Sequence, residues 1–143
     1  MGHDHAHEFD FWIGEWDVFG PEGKHLGVNS VRPLFGTGTL AEHWRSDSGI
    51  EGHSLNCFDQ ERHCWHQTWV DSGGDVLLLD GGLDDTGSMV MQGVSGGERQ
   101  RITWSRDGDE VRQVWETSAD DGATWTLAFD GRYTPSAAPP GDA

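Results

Sequence analysis

Apolar and polar residues alternate with a period of two along most of this chain, the pattern of strands that bury one face. From Gly14, Trp16 and Val18 fall on one side and Glu15 and Asp17 on the other. Just before, Phe9, Trp12 and Ile13 stand at i, i+3 and i+4, which predicts one apolar-faced helical turn ended by Gly14. Turn-forming clusters then recur about every 8–12 residues. They are Gly20-Pro21-Glu22-Gly23, Gly36-Thr37-Gly38, Asp47-Ser48-Gly49, 59–62, Ser72-Gly73-Gly74, 84–87, Gly96-Gly97 and Asp107-Gly108. This rhythm predicts an all-β fold, a single antiparallel up-and-down barrel of about ten strands with a short N-terminal helical turn. Eight strands enclose an interior that side chains just fill, so about ten should leave room for a small ligand.

One further turn is legible in detail. Ser118, Asp120, Gly122, Thr124 and Trp125 fit S-x-D-x-G-x-T-W, in which the Asp caps amides of its own turn. The motif resembles the Asp-box hairpins of sialidase propellers. A propeller needs repeated blades, and this chain has no repeat, so the single copy marks a stable hairpin.

Turn chemistry sets the facing of two hairpins. With Asp107-Gly108 as a two-residue turn, Trp104/Val111, Ile102/Gln113 and Gln100/Trp115 pair on one inward face, and Arg101, Thr103, Arg112 and Glu116 face solvent. Trp125, Leu127, Phe129, Gly131 and Tyr133 continue the inner side, and Trp16, Trp104, Trp115 and Trp125 read as core. With 59–62 as a loop, Ser54, Asn56 and Phe58 share a face with Trp65, Gln67 and Trp69, and the large rings argue that this face is interior. Leu40, Glu42 and Trp44 likewise alternate inward. A buried carboxylate is costly unless paired, so Glu42 is expected either to meet a cation such as Arg32 or to hold its proton more tightly.

These facings assemble a candidate ligand site of Trp44, Asn56, Gln67, Trp69 and Gln113, with Glu42 as the catalytic acid or base if the protein is an enzyme. Rings supply apolar walls, amides supply orientation, and one carboxyl supplies proton chemistry. The reading is a binding module for a small hydrophobic or aromatic ligand. Its alternative is a cofactor-independent isomerase, cyclase or hydrolase in the same cavity.

Charge narrows the partners. The chain of 143 residues carries 9 Lys and Arg against 25 Asp and Glu, a formal net charge of −16. Nucleic acid and anionic membrane are excluded as partners because phosphate neutralisation needs clustered cations. No apolar run approaches the roughly 20 residues of a membrane span, the N-terminus lacks the features of a secretion signal, and Cys57 and Cys64 fit a reducing compartment, so a cytoplasmic protein is expected. Residues 1–8 read as a disordered His-rich arm, 9–134 as the barrel domain, and 135–143 as a disordered Pro-rich tail. A homodimer is open but not required.

No cofactor is expected, and metal ligands are sparse. His3, His5 and His7 alternate in the arm, but Gly2 favours removal of Met1, which moves His3 from the third place that an amino-terminal copper site requires. Cys57, Cys64 and His66 could converge on one hairpin face, although their spacing falls short of paired C-x-x-C motifs.

The string FDFWIGEWDV, with LAEHW at 40–44, HSLNCFD at 53–59 and WHQTWVDS at 65–72, resembles a family of small bacterial proteins of unknown function. The likeness runs from about Phe9 to Tyr133. It implies a lipocalin-like (calycin) barrel, whose members plug one end with a short helix, and it brings no established chemistry. Nitrobindins, calycin-like barrels of similar size, hold haem through a histidine near the C-terminus. No His follows His66 here, so that ligand is missing.

Overall fold

A computed structural model describes residues 5–36 and 38–136. Its ten strands are β1 (Gly14–Phe19), β2 (His25–Leu34), β3 (Thr39–Ser46), β4 (Glu51–Asp59), β5 (Cys64–Asp71), β6 (Val76–Leu83), β7 (Met89–Ser95), β8 (Glu98–Asp107), β9 (Glu110–Ser118) and β10 (Thr126–Pro135). Each pairs antiparallel with the next, and β10 closes on β1 through Trp16↔Pro135 to Phe19↔Arg132. The expected closed up-and-down barrel is therefore the fold, and closure leaves no strand edge unpaired.

The helical turn predicted around Phe9 is a 3-10 turn, Asp10–Trp12, with Trp12 N–H donating to the Phe9 carbonyl at 3.1 Å. It drives Phe9 and Trp12 into the barrel end where β1 begins, both fully buried. Phe9 stacks on Trp12 at 4.9 Å and meets the edges of Trp104 and Trp65 at 5.1 and 5.7 Å. Trp16 Nε1 donates to the Trp12 carbonyl at 2.9 Å, tying the plug to β1. Of the arm expected to be disordered, residues 5–8 are described. His5–His7 form another 3-10 turn, and His5 stacks on Phe58 at 4.3 Å. The start of the arm, with His3, and the tail from residue 137 lie outside the described residues.

Two loops sit one residue later than the sequence suggested. Asp107 pairs with Glu110, so the β8–β9 turn is Gly108-Asp109 rather than Asp107-Gly108. Gly108 takes φ +64 at the first central position, which is where a type II′ turn demands glycine. The pairs become Trp104↔Gln113 and Ile102↔Trp115. This is a slip of two residues, so every side chain keeps its expected face. The β4–β5 loop is 60–63, with Asn56↔Gln67 and Phe58↔Trp65 paired and the tryptophan face inside as expected.

One facing is reversed. Leu127 pairs with Glu116 and Phe129 with Trp115, so Ala128 is a bulge that turns Leu127 outward, 56% exposed. Trp125 is also not core: its ring lies on the outside beneath the Arg101 guanidinium, 3.9 Å away. Trp16 and Trp104 are core, whereas Trp115 is only half-buried.

Candidate functional site

The plug fills one end of the barrel, and the space that remains opens towards the other, where β6 and β10 begin. It is a cavity of about 90 Å³ walled by Trp44, Trp69, Leu77, Ile102, Trp115 and Phe129, with Glu42, Gln67, Gln113 and Tyr133 deeper in. Five of the six residues expected at the site line it. Asn56 does not: it is fully buried behind Gln67, where its carbonyl accepts from Gln67 Nε2 at 2.7 Å.

Three buried, inward-facing glycines make room for the rings. A Cβ on Gly27 would come within 2.8 Å of Trp44, one on Gly52 within 2.5 Å of Trp69, and one on Gly131 within 2.6 Å of Phe129. Each ring lies where a neighbouring side chain would otherwise stand, and at Gly27 the Arg45 carbonyl comes closer still and excludes a side chain as well. Two indoles also spend their N–H groups on the wall: Trp69 Nε1 donates to Asp71 at 3.0 Å and Trp115 Nε1 to Gln100 at 2.8 Å. Trp44 and Phe129 meet edge to face, with centroids 6.0 Å apart.

The polar floor is a connected chain of hydrogen bonds. Glu42 Oε1 accepts from Ser54 Oγ at 2.6 Å and Oε2 from Asn29 Nδ2 at 2.8 Å. The same Asn29 nitrogen donates to Tyr133 Oη at 2.9 Å, and Tyr133 donates to Gln113 Oε1 at 2.6 Å. Asn56 Nδ2 donates to Ser54 Oγ at 2.9 Å, joining the amides of β4 and β5 to the carboxyl. Asn29 Oδ1 is buried without a partner among the described residues.

Among the described residues no cation reaches Glu42. Arg32, the sequence's candidate, lies exposed on the outer face with Ser30, at 3.1 Å, and Glu15. Burial therefore pushes the Glu42 carboxyl up from its ordinary range, against the opposing pull of Ser54 and Asn29. Burial, with the Glu42 charge second, lifts Tyr133 well above the usual phenol range.

Sequence reasoning missed Asn29, Ser54 and Tyr133 as members of this network. Ser54 and Tyr133 had been assigned to inward faces, which was the available signal. Asn29 sits in a strand whose two faces are both mixed, and only the partner Glu42 across β2–β3 singles it out.

Metal ligands gather elsewhere. On the outer face of β3 and β4, His43, Glu51 and His53 bring one ligand atom each within 4.8 Å of one another, the only such group among the described residues. His43 and His53 are cross-strand partners with stacked rings 4.1 Å apart, and His43 is hydrogen-bonded to Glu51. Arg45 stands opposite Glu51, and its charge opposes a bound dication. Cys57, Cys64 and His66 do not form such a group. Both ring nitrogens of His66 are engaged, with Asp80 at 2.9 Å and Thr68 at 2.7 Å.

No protein-family model and no curated protein sequence matches this chain. No described helix is long and apolar enough to cross a membrane.

Proposed function

We propose that the protein binds a small, partly aromatic ligand in the open end of the barrel, as the lipocalin-like barrels that its opening resembles would suggest. The observation that carries the reading is the pairing of Gly27, Gly52 and Gly131 with Trp44, Trp69 and Phe129. Each ring, laid into the seat of a missing side chain, stays against the wall, and the middle of the barrel is left open where a core built for packing alone would be filled, since cavities cost stability. The space that is kept is walled by aromatic rings, and its floor ends in two amides. Gln67 spends its N–H on Asn56 and Gln113 its carbonyl on Tyr133, which leaves Gln67 Oε1 and Gln113 Nε2 to meet a ligand.

A second reading rests on the same floor. Glu42 holds its proton unusually tightly and connects through Asn29 to Tyr133, so it can serve as a general acid or base in a reaction that needs no cofactor. Tryptophan fluorescence tests the first reading with indole and naphthalene-type probes. Saturable quenching that is lost in Trp69→Leu and Trp115→Leu supports it, and unsaturable quenching contradicts it. For the second, Glu42→Gln separates the roles: turnover lost with binding retained marks catalysis.

A further inference from the structure

We infer that the ligand is an organic cation, a substituted ammonium whose positive head is held between the ring faces of Trp44, Trp69, Trp115 and Phe129 and the carboxyl of Glu42. The inference rests on the cavity reading above and specifies its charge. Among the residues that line the cavity none is Lys, Arg or His, and the ionisable ones are Glu42 and Tyr133 alone. An anionic ligand such as a fatty acid would meet no counter-charge and one buried carboxyl. A cation meets four aromatic rings, the residue type with which aromatic cages hold quaternary ammonium groups. The wall holds those rings in place. The Trp69 and Trp115 N–H groups point to Asp71 and Gln100, and the glycines seat Trp44, Trp69 and Phe129 where side chains are missing.

Glu42 is the second half of the argument. It is a buried carboxyl with no cationic partner among the described residues, supported by Ser54 and Asn29 as donors to both oxygens. Such an arrangement suits an ionised carboxylate whose counter-ion arrives from outside. Without ligand, burial favours the protonated acid; a bound ammonium favours the ionised form, so binding should release a proton. The net charge of −16 also raises the local concentration of cations around the protein.

The test uses three probes with the same tert-butyl-like head: choline, its neutral carbon analogue 3,3-dimethylbutan-1-ol, and the anion 3,3-dimethylbutanoate. Calorimetry on the full chain should show choline binding about tenfold or more tighter than the alcohol, consistent with a desolvated cation–π contact plus a charge, and no binding of the anion. Choline binding should strengthen as the pH rises from about 4.5 through the raised pKa of Glu42, and its heat should vary with the ionisation enthalpy of the buffer. Glu42→Gln should narrow the preference for choline over the alcohol while leaving the part due to the rings, and Trp44→Leu, which keeps the carboxyl, should weaken choline more than the alcohol. Equal affinities for choline and the alcohol in the unaltered protein would overturn the charge assignment while leaving the cavity reading intact. No binding of any of the three, together with unsaturable quenching by the aromatic probes, would overturn both.

Discussion

The indole of Trp69 occupies the space in which a side chain on Gly52 would stand, with ring carbon Cζ2 2.5 Å from the position of a Cβ there. The two residues lie on adjacent strands, β5 and β4, so the absence of one side chain sets the rotamer of the other. Gly52→Ala must push the ring towards the cavity or strain the sheet. Overpacking of this kind costs about 1–3 kcal/mol. The expected result is a lowered urea midpoint together with weaker quenching by aromatic probes, whereas an unchanged probe affinity would show that the ring position does not shape the cavity.

Glu42 predicts a pH dependence of stability. Its folded pKa lies above the unfolded value near 4.5, so the folded state holds more protons than the unfolded chain between the two. The contribution is then fully present below about pH 4.5 and is lost as the pH rises through the folded pKa, by at most about 1.4 kcal/mol per pH unit. Urea unfolding at pH 5, 6, 7 and 8 measures it as the difference between the unaltered protein and Glu42→Gln. That difference should shift in favour of the Gln variant as the pH rises, and a flat difference contradicts a protonated Glu42.

Asp120 predicts the opposite slope at low pH. Its carboxylate accepts from Thr124 Oγ1 at 2.5 Å, the Thr124 amide at 2.8 Å and Ser118 Oγ at 2.8 Å, which lowers its pKa to about 2. The stability it confers is present above about pH 3.8 and is lost as the pH falls through about 2. Asp120→Asn should flatten the acid limb of the unfolding curve between pH 4 and 2; the same limb in both proteins would mean that the carboxylate is no cap.

Trp65 and Trp104 stand together around Phe9 but differ in their polar ends. Trp65 Nε1 donates to Glu8 at 3.1 Å, whereas Trp104 Nε1 is buried without a partner among the described residues. Replacing a ring whose N–H is already unsatisfied removes a penalty along with the packing. Trp65→Phe should therefore cost about 1 kcal/mol more than Trp104→Phe in urea unfolding. Equal costs would show that the Glu8 hydrogen bond is worth nothing.

The facing of β8 and β9 was legible from alternation even though the turn was placed one residue early, because a slip of two residues preserves each face. What alternation cannot carry is a bulge. Ala128 adds one residue to β10 and leaves no mark in the polarity pattern, so Leu127 was assigned inward although it faces out. Glu42 was legible as buried, since it lies between Leu40 and Trp44 on one strand face. Its partner Asn29 was not, because cross-strand neighbours follow from register, and β2 has no clean alternation to set one. The glycine seats were hidden for a similar reason: Gly27 and Gly52 look like ordinary weak points in strands until the ring from a neighbouring strand is placed over them.

Native mass spectrometry of the protein purified gently from its own host, set beside the same sample after denaturation, tests the central claim most directly. The account predicts one discrete added mass of small-molecule size that is lost on denaturation and is displaced by an aromatic probe. A clean apo mass, with no adduct formed when the aromatic probes are added, would contradict a ligand-binding barrel.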